Sequence, residues 1–386
     1  MGVGFYGTVA QGSLSDEEAY LYKAGKDVFS RYDLLRNGTQ GYGVFAEAYL
    51  EYKYEQTNVK AGRQIFESFL TKSNDTKMIP NTFEGVTLHS KDLSGTLVNV
   101  AYLTRQKLRD HTTFHSVLAF GDNAENPYNL YSQNDDSAMH KGLTTSKLEA
   151  MGIEDKLIVM EMMNRSMEQL TLRMNYTSVP ELISSAMIQA DYRFDLGEWS
   201  VMPGLRYMQQ FDEGAGAIGG ANLKTLTSGY TKPNSLDTAL YAARIDMVND
   251  ALKLRIAYTV VADKGDIIAP WRGFPTGGFT RAMGQYNWNA NTKSYMFQLD
   301  YEFESLDNLK IISRYGVQDF DDNKIGVQAD SNVFTLDLAK KLVDNRLYLK
   351  TRYGRIMGKE QTVLSSGLLK LNPSYNELRF EINYLF

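Results

Sequence analysis

The sequence predicts an all-β fold, a transmembrane antiparallel up-and-down β-barrel of about 16 strands forming a single domain over residues 1–386. Three features predict it. Apolar and polar side chains alternate with period 2 along most of the chain. No apolar run approaches the ~20 residues that a helix needs to cross a bilayer. Short polar connections alternate with long ones, as tight turns at one end of a barrel and long loops at the other require.

The elements follow in chain order. Val3 to Ala10 reads as a strand from the start. It lacks the basic and apolar regions of a secretory signal, so the leader is expected to have been removed or an amino-terminal part to be missing. Tyr42 to Tyr54 is the second strand, closed by the short connection Gln56-Thr57-Asn58. The stretch Leu108 to Lys156 is rich in Asn, Asp, Ser and His and has no strand period, so it is expected to be a long loop folded into the lumen (108–156). Beyond it, Leu170, Leu172, Met174 and Tyr176 share one face of a strand, as do Ala186, Ile188, Ala190, Tyr192 and Phe194 of the next. Trp199 to Tyr207, Tyr241 to Met247, Leu252 to Tyr258, Tyr295 to Phe303, Leu309 to Val317, Phe334 to Leu338 and Leu347 to Tyr353 continue the pattern. Leu378, Phe380, Ile382, Tyr384 and Phe386 end the chain on an aromatic, as a closing membrane strand does.

Composition excludes several classes. Mean hydropathy is negative, which a barrel tolerates because every second residue is polar. The absence of cysteine carries little weight, and a net charge of −5 argues against a nucleic-acid partner. Gly214-Ala215-Gly216-Ala217-Ile218-Gly219 matches a dinucleotide fingerprint only in letters, since no βαβ unit surrounds it. His111 and His115 lack a third ligand at a telling distance and read as loop histidines. No enzyme, cofactor or metal is expected.

The phase of the alternation decides what the lumen carries. A charge on the lipid face costs ~2 to 4 kcal/mol near the midplane, so the apolar faces must be outside. Arg173, Arg193, Arg206, Arg244, Arg255, Arg314, Arg352, Arg379 and Lys253 then point inward as a basic ladder. Such a ladder concentrates small anions and passes a carboxylate between bidentate partners. Alternatively, the arginines pair with inward acids such as Asp191, Asp246, Asp300 and Asp337 and stiffen the wall. Asp135 and Asp136 are candidates for an acidic face of the constriction, or simply a solvated pair in the loop.

Near Lys60, a Lys-x-Gly element precedes Asp75, Lys77, Met78, Ile79, Pro80, Phe83 and Gly85. This pattern resembles the OprD family of substrate-selective outer-membrane porins. The resemblance implies an 18-stranded barrel, an inward third loop, a row of lumenal basic residues and uptake of small carboxylate-bearing nutrients. Only two strands precede the motif here, where the family usually has four, so two amino-terminal strands are expected to be absent unless this is a 16-stranded relative.

The expected function is therefore diffusion of small carboxylate-bearing or amino-acid-like solutes across the outer membrane of a Gram-negative bacterium. The chain would lie among outer-membrane lipid and lipopolysaccharide as a monomer or loose trimer, taking anionic or zwitterionic solutes. A general, weakly anion-selective diffusion porin is the first alternative. A structural or adhesive barrel with a closed lumen is the second.

Overall fold

The computed structural model describes residues 1–9, 15, 30–73, 79–123, 140–283, 286–306, 309–342, 346–359 and 370–384. Among these, 17 strands form one sheet. The first six are β1 (Gly2–Val9), β2 (Gly41–Tyr54), β3 (Thr57–Gln64), β4 (Thr82–Ser90), β5 (Thr96–Lys107) and β6 (Leu157–Asn164). Next come β7 (Leu170–Val179), β8 (Ile183–Tyr192), β9 (Phe194–Leu196), β10 (Trp199–Asp212), β11 (Thr238–Val248) and β12 (Leu252–Val261). The series ends with β13 (Lys293–Phe303), β14 (Leu309–Asp319), β15 (Ser331–Leu342), β16 (Leu347–Gly358) and β17 (Tyr375–Tyr384).

Consecutive strands pair antiparallel from β1 to β17. The exception is a break at Arg193: β8 and β9 both pair with β10, so they form a single stave and 16 staves make up the wall. Among the described residues no register joins β1 to β17. The inner face is nonetheless enclosed by loops that reach right around it. Tyr42 of β2 donates to the Arg109 carbonyl at 2.8 Å, and Phe279 packs in one cluster with Val333 of β15 and Ile356 of β16.

The outer face is a belt of exposed apolar side chains, among them Phe45, Leu50, Tyr102, Ile188, Leu205, Ile245, Ile256, Phe297, Tyr315 and Phe380. Aromatic pairs gather toward both edges, with Tyr192 and Phe194 at 4.6 Å and Tyr301 and Phe303 at 4.5 Å near the short turns, and Tyr258 and Tyr295 at 4.8 Å nearer the long loops. Tyr295 and Phe303 are eight residues apart on one strand. At a tilt of ~45° that spacing covers roughly 20 Å along the barrel axis, close to the height of a lipid-facing band. No helix of the described residues is long and apolar enough to cross a membrane. The helices α1 (Arg31–Asn37), α2 (Thr145–Met151) and α3 (Ala215–Gly219) all sit in long connections.

Two glycines of the recognised motif have a backbone reason to be there. Gly62 and Gly85 face each other across β3 and β4. Gly62 has φ +122, and a Cβ on it would lie 2.4 Å from the Ala48 carbonyl oxygen. A Cβ on Gly85 would lie 2.1 Å from the Tyr102 carbonyl oxygen. Any side chain at either position would push neighbouring strands apart.

Four long connections fold against the inner face, one of them (213–237) through Ala215, Leu223 and Leu236. Leu118, Ala119, Leu143 and Leu148 of 108–156 share one apolar cluster with Phe83 of β4, Leu103 of β5 and Met208 of β10. Phe66 and Leu70 (65–81) and Trp271 and Trp288 (262–292) belong to the same cluster. The Trp271 indole donates to the Val117 carbonyl at 2.7 Å, and the Leu70 carbonyl accepts from the Gly273 amide at 2.8 Å. The inward fold expected for 108–156 is therefore shared with other loops, among them 65–81 and 262–292, whose inward course the sequence did not single out.

Candidate solute path

Alternation settles the direction of each basic side chain. Leu205 is 64 % exposed on the outside while Arg206 beside it points inward, and Ile256 and Arg255 stand in the same relation. The registers then bring the cations to nearby levels. Arg173 lies opposite Gln189, and Gln189 opposite Arg206. Gly204 lies opposite Arg244, and Asp246 opposite Arg255. Arg255 faces Gln298, which faces Arg314, while Asp337 faces Arg352, which faces Arg379.

Most of these guanidiniums hold a carboxylate. Asp191 takes Arg173 at 2.6 Å and Arg244 at 2.7 Å. Asp246 accepts from Arg255 at 2.5 and 2.7 Å, with Lys253 at 3.4 Å. Asp337 accepts from Arg352 at 2.5 and 2.6 Å, with Arg314 at 3.5 Å. Arg379 donates to Glu377 at 2.8 Å. The row is thus an alternating cation–anion belt.

Arg206 differs from the others. It donates to the Gln189 Oε1 at 2.9 and 2.6 Å, and its Nη1 donates to the carbonyls of Pro275 at 2.7 Å and Gly277 at 2.9 Å. Its guanidinium carbon lies 4.8 Å from the Phe69 ring centre and 4.6 Å from that of Phe279. Arg244 and Arg255 both donate to the Gly278 carbonyl, at 2.7 and 2.9 Å. Three wall arginines therefore fasten the 262–292 loop to the barrel through its backbone oxygens.

A cavity of about 560 Å³ opens beside this junction. Arg173, Arg206 and Lys72 give it cations, Glu67 and Glu161 give it carboxylates, and Phe69, Met187, Phe274, Gly277 and Gly278 complete much of the lining. Glu161 accepts from the Phe69 amide at 2.6 Å and from the side-chain amides of Asn99 and Asn175 at 3.4 Å. This fixes the ring that covers Arg206. The cavity therefore offers both signs of charge a short distance apart.

The remaining predicted residues fall elsewhere. Arg193 sits in the break between β8 and β9, bonded to Asp195 at 2.7 Å with a side chain 56 % exposed, at the short-turn rim and away from the cavity. Asp135, Asp136, Asp75, Lys77 and Phe386 lie outside the described residues. Pro80 and Phe83 are buried. His111 and His115 lie in the loop and contact each other at 3.0 Å. The glycine-rich stretch at 214–219 contributes the five-residue α3 in a loop. The sequence reading missed Gln189, Phe69, Phe279 and the 262–292 loop; the aromatics and glycines of that loop were its only signal.

Known proteins match the chain and its fold. A family model described as outer membrane porin, OprD family, matches residues 36–316. The crystal structure of Pseudomonas aeruginosa OpdK with vanillate superposes with TM-score 0.68 at 13% identity, covering 90% of this chain and 80% of that one. Acinetobacter baumannii OccAB3 gives TM-score 0.66 at 15% identity, covering 89% and 78%. Pseudomonas aeruginosa OpdO gives 0.63 at 17%, covering 89% and 82%. No curated protein matches the sequence.

Proposed function

The chain belongs to the OprD family of outer-membrane porins, and from that premise we propose that it conducts small carboxylate-bearing or amino-acid-like solutes along its basic belt. It is a porin of the Gram-negative outer membrane, surrounded by that membrane's lipid. The observation that carries the proposal is the run of Arg173, Arg206, Arg244, Arg255, Arg314, Arg352 and Arg379 at or near matching register positions along the sheet, beside a cavity lined by Arg173 and Arg206. A carboxylate passing the belt exchanges water for guanidinium donors already oriented by their acids, so each step requires little reorganisation. Glu67 and Glu161 on the same cavity suit the ammonium of an amino-acid-like solute.

One observation favours the general, weakly anion-selective alternative: nearly every guanidinium of the belt is already neutralised by Asp191, Asp246, Asp337 or Glu377. Single-channel recording with acetate and alanine separates the two. A selective channel shows block that saturates with solute concentration, and a general one shows conductance that scales with the salt alone. Absence of saturable block by every carboxylate tested sinks the selective reading.

A further inference from the structure

Arg281 shares with Arg206 the lack of an ion pair among the described residues, but Arg206 has Gln189 and two backbone carbonyls in place of one. Arg281 stands on the inward 262–292 loop, and its backbone amide donates to the Thr276 carbonyl at 3.2 Å. Its guanidinium lies 4.3 Å from the centre of the Phe274 ring and 5.9 Å from that of Trp288, whose ring meets Tyr286 edge-on at 5.0 Å. The Nε and Nη1 atoms are buried and meet no acceptor, although the residue as a whole keeps partial exposure. Every wall cation beside the cavity has a carboxylate or a row of carbonyls, whereas Arg281 has aromatic faces alone. Burial, with the positive field of Arg272 and Arg109, pushes its pKa down to about 10, so it stays charged at neutral pH. An unpartnered buried charge is costly, and a counter-ion from outside the chain removes that cost.

We propose that Arg281 is the fixed cation of a carboxylate-binding site carried by the loop, separate from the wall belt, where a passing solute halts by its carboxylate. The site rests on the porin reading for its biological use but is tested without conduction. Trp288 reports on it directly.

Protein purified in detergent is titrated with sodium acetate against sodium chloride at matched ionic strength, following tryptophan fluorescence. The expected result is a saturable response to acetate that chloride does not give and that Trp288→Phe removes. Arg281→Lys keeps the response within about threefold of the original affinity, and Arg281→Gln weakens it by about tenfold or more. An Arg281→Gln variant that titrates like the original protein overturns the site. Absence of any saturable response in the unaltered protein overturns it equally, whether or not the variant folds. A conducting channel without the response leaves the porin reading standing and removes the site. A silent channel whose response is lost in Arg281→Gln does the reverse.

Discussion

Replacing Arg206 by Ala should loosen the 262–292 loop that packs against the inner face. Arg206 makes two hydrogen bonds to backbone carbonyls of that loop, at 2.7 and 2.9 Å. Charge-assisted bonds of this type contribute ~1.5 kcal/mol or more each, which makes about 3 kcal/mol. The face contacts with Phe279 of the loop and Phe69 of the neighbouring loop, at 4.6 and 4.8 Å, add ~0.5 to 1 kcal/mol apiece. Arg244 and Arg255 still hold Gly278, so the loop is not released outright. A loss of about 4 kcal/mol or more raises the released fraction roughly a thousandfold. In planar bilayers the variant should conduct more and flicker between levels, and proteolysis within 262–292 from the aqueous side should quicken. Unchanged conductance together with unchanged proteolysis would refute the idea that Arg206 fastens the loop.

Three further outcomes are expected. Arg244→Gln with Arg255→Gln strips cations and leaves Asp191 and Asp246 less compensated; a unit charge ~6 Å from a passing ion in water shifts an anion and a cation by ~0.7 kcal/mol in opposite directions, so the anion-to-cation permeability ratio from reversal potentials should fall about tenfold per guanidinium. His115 and His140 are buried in the 108–156 loop with pKa pushed down to about 3, by desolvation first and then by Lys107 for His115 and by His115 and Lys224 for His140. Protons therefore bind the unpacked loop first: nothing is lost above pH ~6.5, and packing weakens as pH falls from there toward 3, by about 2 kcal/mol per histidine at pH 5. Amide exchange in 108–123 and 140–156 should accelerate at pH 5 relative to pH 7.5, and equal protection at both would count against these buried neutral rings. Gly62→Ala should lower the urea midpoint for folding into vesicles, since its Cβ would sit 2.4 Å from the Ala48 carbonyl oxygen; an unmoved midpoint would show that β2 and β3 yield without strain.

Much of the wall could be read before any coordinates, because a strand with lipid on one side and water on the other leaves no freedom of phase. Arg244 and Ile245, or Arg379 and Phe380, could be assigned opposite sides from neighbours alone, and they alternate between less and more exposed positions on β11 and β17. The likeness around Phe83 and Gly85 is to the same family that matches over 36–316. The break at Arg193 could not be read, since Tyr192 and Phe194 keep the alternation through it. Nor could the fate of 262–292: its acceptors for Arg206, Arg244 and Arg255 are backbone oxygens, which every residue has. Trp271 and Phe279 are buried by residues far away in sequence, and local period is blind to such contacts. Whether an inward arginine would find an inward acid depended on register, which brought Asp246 opposite Arg255 and Asp337 opposite Arg352.

The chain has no cysteine, so single cysteines report cleanly on which side of the wall meets water. Arg255→Cys and Ile256→Cys occupy adjacent positions on β12, one on the inner face and one 67 % exposed on the outer face. In lipid bilayers, a charged, membrane-impermeant methanethiosulfonate reagent should label position 255 rapidly and step the single-channel current down, while position 256 stays unlabelled. Rapid labelling at 256 with protection at 255 would contradict a water-filled path lined by the basic belt.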